Sequence, residues 1–256
     1  MELGLAGKRG LVTGGSKGLG EAIARELVAE GARVAICSRH EDEVRATAAA
    51  VGAEHAQAAD VTDPDQVRDL VARSAEALGR IDFLVNNAGA AHPGTFETLT
   101  DENWAADLDV KLFSLIRCSR EVLPHLRAAG GGRIVNIGAV YSRYPDPTFF
   151  ATSVNRAAGN SFTKTLALEV AKDNVLVNGV NIGFVVTTQW ENIRQRRAPE
   201  LPPDEFFDRF AQQEVPLGRF GTPDEVSGLV AFLLSERASY ITGASIDVAG
   251  GMGKYV

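Results

Sequence analysis

The residues with the clearest chemical meaning are the glycines of the segment TGGSKGLG. Gly14, Gly18 and Gly20 lie between a predicted buried strand, RGLVTG, and a predicted helix, GEAIARELVAEG. Without side chains at these positions, the backbone can turn tightly and bring the amino end of the helix against a pyrophosphate. Three glycines alone are weak evidence, because glycines in turns are commonly structural. Their position directly after the first strand predicts a nucleotide-binding site.

Charged side chains close to this turn favour NADP(H) over NAD(H). A protein that selects NAD(H) usually has a carboxylate at the end of the second strand, whereas a 2′-phosphate is bound by cations. The second predicted strand, RVAICSR, ends in Ser38 and Arg39, and Lys17 adds a cation inside the glycine turn. The alternative interpretation is that Lys17 and Arg39 are ordinary solvated surface cations.

A second set of reactive side chains lies in the middle of the chain. It comprises Lys111 in DVKL, Tyr141 and Tyr144 in IGAVYSRY, and Thr152 and Arg156 in FFATSVNR. The hydroxyl of Thr152 titrates far too high to act as the proton donor that a phenol, with a pKa of ~10, becomes beside a cation. Arg156, one helical turn away, can bind ribose hydroxyls or a substrate carboxylate, but it cannot release a proton usefully.

Alternating strands and helices must position these residues. Short apolar runs ending in glycine or polar residues alternate with segments of helical periodicity, and parallel crossovers connect such units economically. Long helices are predicted from about Asp101 to Ala128 and from about Thr152 to Ala171. The sequence therefore predicts a single α/β domain over residues 1–256: a Rossmann-type, doubly wound, parallel seven-stranded sheet with helices on both faces. Residues 187–216 interrupt the alternation: they contain Pro199, Pro202 and Pro203 and two possible short helices, and we interpret them as a substrate lid.

Composition excludes several other classes of protein. A chain of 256 residues with 45% hydrophobic residues can bury one large core. The net charge of -7 comes from acidic residues spread along the chain, so a nucleic-acid partner is not expected. No apolar run approaches the ~20 residues of a membrane span, and the N-terminus lacks a signal sequence. Cys37 and Cys118 lie in apolar stretches without metal-ligand spacing, which favours reduced thiols in a cytoplasmic protein.

Several further motifs resemble those of the short-chain dehydrogenase/reductase superfamily, with 3-oxoacyl-ACP reductases as the overall type. Besides TGGSKGLG they are DVTD, NNAG, VNGVNIGFVVTT, GRFGTPDEVSGLVAFLLSE and ITGASIDVAGG, and they extend over nearly the whole chain. The resemblance implies that the cofactor contacts the following residues: Gly14, Ser16, Lys17, Gly18, Leu19, Gly20, Ser38, Arg39, Asp60, Val61, Asn87, Ala88, Gly89, Arg156, Gly183, Val185 and Thr187.

Some of these positions have more specific implied roles. Asp60 and Val61 would border the adenine, and Thr187 would lie near the carboxamide. Asn87 would line the cofactor cleft, although capping of the sheet end is an alternative. The resemblance also implies a homotetramer or homodimer, with contacts through the two long helices and the C-terminal segment GGMGKYV.

The catalytic positions depart from the family pattern. The family uses an asparagine, a serine, a tyrosine and a lysine, and counting from GRIVNIG places Lys111, Ala139, Thr152 and Arg156 at these four positions. The standard mechanism therefore cannot operate as it stands. The proline usual before Gly183 is also replaced, which puts the family's contact with the nicotinamide face in question.

Two residues are candidates for a replacement proton donor. Tyr141 is placed like the acid of the dienoyl-coenzyme A reductases of this superfamily, but it could instead pack against the lid or an oligomer neighbour. Lys111 would lie near Arg156, which would lower the pKa of the lysine, but it could instead extend to the surface. His92 and His125 have no nearby partner motif and are not expected to be catalytic.

Three functions are compatible with these residues. The first is an NADP(H)-binding oxidoreductase that acts on a small carbonyl, alcohol or enoyl substrate through a non-standard active site made of Tyr141, Lys111, Arg156 and Thr152. The second is a non-redox enzyme of the lyase, isomerase or cyclase type. The third is a catalytically silent NADP(H)-binding protein.

Overall fold

Seven parallel strands form one sheet in a computed structural model, which describes residues 2–253. Their spatial order is β3-β2-β1-β4-β5-β6-β7, so the chain crosses from one half of the sheet to the other between β3 and β4. This arrangement confirms the predicted doubly wound α/β fold. The strands are β1 (Arg9–Thr13), β2 (Arg33–Ser38), β3 (His55–Ala58), β4 (Phe83–Asn86), β5 (Gly132–Ala139), β6 (Val175–Ile182) and β7 (Ser245–Val248).

Helices cover both faces of the sheet and form two hydrophobic cores with it. Within residues 2–253 the α-helices are α1 (Gly18–Ala29), α2 (Glu41–Val51), α3 (Pro64–Leu78), α4 (Asp101–Leu108), α5 (Ser114–Ala128), α6 (Phe150–Val170), α7 (Thr188–Arg197), α8 (Pro203–Glu214) and α9 (Pro223–Leu234). One core contains α1, α2 and α9, and the other contains α3, α5 and α6. In β1, β2, β4 and β5, adjacent residues enter opposite cores, as Leu11 and Val12 of β1 do, so these strands are buried on both sides.

The glycine turn is packed tightly between β1 and α1. Gly14 and Gly18 have φ angles of 65° and 58°, in the left-handed region that favours glycine. A methyl group at Gly20 would overlap the carbonyl oxygen of Gly14. The side-chain amide of Asn87, after β4, donates to the carbonyl oxygens of Thr13 and Gly14, each at 3.0 Å. Asn87 therefore joins β4 to the turn at the point where the strand order reverses, which is where ligands bind in such sheets.

The predicted long helix from Asp101 to Ala128 is interrupted. Between α4 and α5, residues Asp109–Phe113 form a π-helical turn in which the Ser114 N–H donates to the carbonyl of Asp109. The hydroxyl of Ser114 donates to the carbonyl oxygen of Val110 at 2.7 Å and so takes the acceptor that an α-helix would use there. The prediction of one continuous helix is wrong over these five residues, and this turn carries Lys111.

Residues 187–216, which we call the lid segment, contain the two short helices α7 and α8, as predicted. Trp190 packs edge-on against Phe184, with ring centroids 4.7 Å apart, and against Phe220 at 5.1 Å. Phe206 and Phe210 of α8 extend the same aromatic cluster. In the part of the chain that the structure describes, no helix is long and apolar enough to cross a membrane.

Candidate active site

A single cleft of about 920 Å³ runs along the carboxyl ends of the strands. Its volume lies near the upper end of the range for small-molecule sites, roughly 300–1,000 Å³. All the residues predicted to contact the cofactor line it, from Gly14 in the glycine turn to Thr187 at the start of the lid segment. Tyr141, Lys111, Thr152 and Arg156 line it as well. The structure thus brings the two predicted groups of residues into one site.

One end of the cleft carries the cations that the sequence predicts to favour NADP(H). Ser38 and Arg39 follow each other at the end of β2, and the Arg39 side chain is exposed. Lys17 also faces this end, but its Nζ lies 3.5 Å from a carboxylate oxygen of Glu43. Glu43 is in the first turn of α2 and lines the same cleft, and sequence reasoning did not anticipate it. Its charge offsets part of the positive potential from Lys17 and Arg39.

At the other end, Lys111 is buried in the π-helical turn, with only 2% of the residue exposed. Its ammonium forms an ion pair with Asp107 and donates to the hydroxyl of Thr152 at 2.7 Å. The pKa of Lys111 is lowered to about 8, mainly by burial; Asp107 opposes this lowering, and the positive charge of Arg156 adds to it. The side chain therefore does not extend to the surface, and Arg156 acts on it as expected.

The partner of Lys111, Asp107, is a buried carboxylate with three donors around it. Its Oδ1 contacts Lys111 and also lies 2.8 Å from Nδ1 of His92, and its Oδ2 accepts from Nδ2 of Asn155 at 2.8 Å. Burial alone would raise the pKa of Asp107, but the bonds with His92, Lys111 and Asn155 and the charge of Lys111 lower it below its ordinary value. Asp107 is therefore ionised at neutral pH. We call these residues, together with Thr152, the buried network.

Arg156 lies between the buried network and the cofactor end of the cleft. Its Nη1 donates to the carbonyl oxygen of Ile137 at 2.8 Å, and a methyl group added to Gly89 would lie 3.0 Å from its Nη2. Burial lowers the pKa of Arg156 to about 10, so the guanidinium stays charged at neutral pH. Its Nε is a buried donor with no partner among the described residues. A donor left open in this position fits an oxygen of a bound dinucleotide, so the site suits the cofactor that the glycine turn implies.

Tyr141 contacts a different part of the cleft wall. Its ring stacks on Phe149, with centroids 5.3 Å apart and planes inclined by 22°, and the guanidinium of Arg197 lies 5.9 Å from the Phe149 ring. Burial, and the nearby charges of Asp146 and Glu214, raise the pKa of Tyr141 above its usual range. The phenol packs beside the aromatic cluster of the lid segment, as the alternative interpretation expected.

Sequence reasoning missed part of the buried network. The one available signal was spacing, because Asp107 precedes Lys111 by four residues and such pairs meet on one face of a helix. The expectation that His92 has no partner is wrong, since it contacts Asp107 across the cleft wall. Nothing in the sequence pattern indicated His92 or Asn155. Tyr144 and His125, in contrast, do not line the cleft.

Comparison with known proteins agrees with this fold. A family model described as Enoyl-(Acyl carrier protein) reductase matches residues 14–253. The chain is 37% identical over 246 residues to the short-chain reductase protein NovJ of Streptomyces niveus, an alignment that covers 94% of this chain and 92% of NovJ. The chain belongs to the short-chain dehydrogenase/reductase superfamily of oxidoreductases.

Two solved structures are similar over essentially the whole length. A short-chain oxidoreductase from Pseudomonas aeruginosa PAO1, described as containing an atypical catalytic center, is 36% identical, with a TM-score of 0.92, and covers 99% of this chain and 100% of that one. It has also been solved with NADPH bound. L-sorbose reductase from Gluconobacter frateurii, solved with NADPH and L-sorbose, is 33% identical, with a TM-score of 0.96, and covers 100% of both chains.

Proposed function

We propose that this protein is an NADP(H)-dependent reductase of a small carbonyl or enoyl compound, and that Lys111 is its proton donor. The observation that carries the proposal is the position of the Lys111 ammonium. It is buried in the cleft and bonded to the hydroxyl of Thr152, which stands where the family has its catalytic tyrosine. An ammonium with a pKa near 8 is protonated at neutral pH and can give a proton to an oxygen that becomes basic during reduction.

The residues of the cleft support binding of NADP(H). Arg39 and Lys17 would hold the 2′-phosphate, the glycine turn would face the pyrophosphate, and the open Nε of Arg156 would bind an oxygen near the nicotinamide. When bound, NADPH supplies the hydride. The NADPH complexes of the Pseudomonas oxidoreductase and of L-sorbose reductase support the same cofactor here.

Each side chain of the catalytic end then has a defined task. The positive charges of Lys111 and Arg156 stabilise the negative charge that develops on the substrate oxygen. The oxygen takes one proton from Nζ of Lys111, which leaves a neutral amine. Thr152 accepts from Nζ and so holds the ammonium in position. Asp107 keeps Lys111 charged before the reaction, because its carboxylate raises the pKa that burial lowers.

Reduction is expected to slow at alkaline pH. The value of kcat/KM should fall above about pH 8, because Lys111 loses the proton that it must donate. Oxidation of the corresponding alcohol should accelerate over the same range, because the neutral amine is then the proton acceptor. Initial rates of NADPH oxidation between about pH 6 and pH 10 test this. A pH-independent kcat/KM in both directions would exclude Lys111 as the donor.

Tyr141 is the second candidate for the proton donor, and one variant distinguishes the two. If Tyr141 is the acid, Tyr141→Phe abolishes the reaction, and the wild type shows no fall in kcat/KM that reflects Lys111. If Lys111 is the acid, Tyr141→Phe keeps both the rate and the fall. The raised pKa of Tyr141 makes it the weaker acid of the two.

Cofactor selectivity is expected to depend on Arg39. Arg39→Ala should raise the Kd for NADPH by about 10- to 100-fold, because a charge-assisted hydrogen bond contributes about 1.5–3 kcal/mol, and should leave the Kd for NADH unchanged. Glu43→Gln should lower the Kd for NADPH, because it frees Lys17. Fluorescence titration with both cofactors measures these constants.

The matched control is Arg68→Ala, since Arg68 is an exposed arginine on α3 that pairs with Asp65 away from the cleft. An equal loss of NADPH and NADH affinity in Arg39→Ala would contradict the proposed 2′-phosphate site. Tight NADPH binding with no oxidation across a broad panel of ketones and enoyl thioesters would contradict the proposed reaction.

Two structural roles belong to the same proposal. The lid segment would close over the substrate, because Trp190 and Arg197 already line the cleft. The chain would form a homodimer or homotetramer through α5 and α6, which present the exposed apolar side chains of Val154 and Leu168 on α6 and of Phe113 beside α5. Residues 254–256 of the C-terminal segment GGMGKYV lie outside the described residues. Light scattering of the purified protein measures its oligomeric state.

A further inference from the structure

Three ionisable side chains are linked at the reacting end of the cleft, and His92, the most exposed of them, lines the cleft itself. The His92 side chain is 33% exposed, whereas Asp107 is fully buried and Lys111 nearly so. Both the His92 imidazole and the Lys111 ammonium contact the same oxygen of Asp107, Oδ1. The other oxygen, Oδ2, is occupied by the amide of Asn155. One carboxylate oxygen therefore bridges an imidazole that reaches solvent and an ammonium that does not.

We propose that His92 and Asp107 form a proton relay that returns a proton to Lys111 after each reduction. The proposal rests on the function assigned to Lys111 above. Once Lys111 has given its proton to the substrate oxygen, it is a neutral amine with 2% of the residue exposed, and bulk water has little direct access to it. The contact through Oδ1 is the connection from this amine to solvent.

The relay moves one proton without any other change. The protonated imidazole of His92 gives the proton on Nδ1 to Oδ1 of Asp107, and Oδ1 passes a proton to the neutral Nζ of Lys111. His92 is then a neutral imidazole, which takes a proton from solvent, and Asp107 is a carboxylate again. The sum of these steps is the transfer of one solvent proton to Lys111. Asp107 does not line the cleft, and in this relay both His92 and Asp107 act through Lys111.

The charges around the relay favour this direction. The groups that act on Lys111 are Asp107, from α4, and Arg156, from α6. Those that act on Asp107 are His92, from the loop after β4, Lys111 and the more distant charge of Arg156, with the neutral amide of Asn155 alongside. When Lys111 has lost its proton, Asp107 has lost its nearest positive charge, so its carboxylate attracts a proton from His92 more strongly.

A purely structural ion pair does not require His92. Asp107 is already neutralised by Lys111 and holds a second hydrogen bond from Asn155, which satisfies both of its oxygens. The imidazole adds a partly exposed side chain that can exchange protons with solvent. Of the side chains in the network, it is the one with this property.

The first experiment measures coupling in the protein without substrate. The imidazole of His92 is titrated by NMR in the wild type, in Asp107→Asn and in Lys111→Met. Loss of the carboxylate is expected to make the protonated imidazole less favourable, and loss of the ammonium is expected to make it more favourable. A His92 titration that is the same in all three proteins would contradict the relay, whether or not the protein reduces anything.

The second experiment measures turnover. His92→Gln retains an amide donor for Asp107 but cannot carry a proton, so its kcat is expected to fall by about tenfold or more, most strongly at alkaline pH. Added imidazole should restore much of the loss, which a merely structural role would not allow. His125→Gln, on α5 and away from the cleft, is the control and should match the wild type. If the wild type reduces its substrate and His92→Gln does so equally at every pH, the relay fails while the proposed function stands.

Discussion

Lys111→Met is expected to lower kcat by about 10²- to 10⁴-fold, the range over which a positioned proton donor contributes. The methionine side chain has a similar length but no acidic proton, so the substrate oxygen would have to take its proton from water. The Kd for NADPH should change little, because Lys111 lies at the opposite end of the cleft from Arg39. Stopped-flow measurement of NADPH oxidation and fluorescence titration of NADPH separate the two effects.

Lys111→Arg separates proton donation from charge. An arginine keeps the positive charge beside Asp107, but its pKa above ~12 prevents it from releasing a proton. Its kcat is therefore expected to be nearly as low as that of Lys111→Met, and the alkaline fall near pH 8 should disappear. A Lys111→Arg enzyme with substantial activity would mean that Lys111 acts only through its charge, and that another group, such as Tyr141, donates the proton.

The second large effect is expected on stability. Asp107→Asn should lower the free energy of unfolding by about 3 kcal/mol, because it leaves the Lys111 ammonium buried without its counter-charge. The double variant Asp107→Asn with Lys111→Met removes both charges and should recover much of this loss. Lys111→Met leaves the buried Asp107 carboxylate without its counter-charge. The double variant lacks both charges, so its activity provides a comparison for that of Lys111→Met in a stably folded protein. Chemical denaturation of the wild type, the two single variants and the double variant measures the coupling.

The matched control for this cycle is Asp69→Asn. Asp69 and Arg73 form an ion pair with the same spacing of four residues, but both side chains are roughly half exposed. Exposed pairs contribute about 0–1 kcal/mol, so Asp69→Asn is expected to be nearly neutral. An equally small effect for Asp107→Asn would contradict the prediction that the buried Lys111 ammonium needs the Asp107 carboxylate as its counter-charge.

The pH dependence of stability provides an independent check of the same pair. The pKa of Lys111 is lowered in the folded protein, to about 8 from its ordinary 10.5. The unfolded chain therefore binds more protons between these two values, and stability should rise with pH across this window. The contribution of Lys111 is fully present above the unfolded value and is lost as pH falls through about 8. The double variant should lack this part of the slope.

The fold follows from local patterns, which is why it could be predicted. Buried parallel strands are short apolar runs, and the amino ends of helices carry recognisable caps. Asp63 is such a cap: its carboxylate accepts from the N–H groups of Asp65 and Gln66 at the start of α3. The π-helical turn at Asp109–Phe113 has no such signal. The turn depends on one backbone hydrogen bond of the π-helical type and on the Ser114 hydroxyl. Neither changes the hydrophobic periodicity of the sequence, so that periodicity predicts an uninterrupted α-helix.

The residues at the end of the cleft that is proposed to bind the cofactor could also be predicted from the sequence. Parallel strands end at the same edge of the sheet, so motifs such as the glycine turn and the segment after β4 meet there once the strand order is known. Glu43 shows where this reasoning stops. It lies in the first turn of a helix where acidic residues are common, and only the folded chain places its carboxylate beside Lys17.

By itself, the sequence determined the class of fold and the family, and it predicted a nucleotide cleft and the replacement of the four family residues by Lys111, Ala139, Thr152 and Arg156. Only the tertiary structure decided which groups surround the ion pair of Lys111. His92, from a loop, and Asn155, from α6, both contact the carboxylate of Asp107, which lies on α4. The physical reason is that burial and the distances between charges set the pKa values of such groups, and both depend on how distant segments pack.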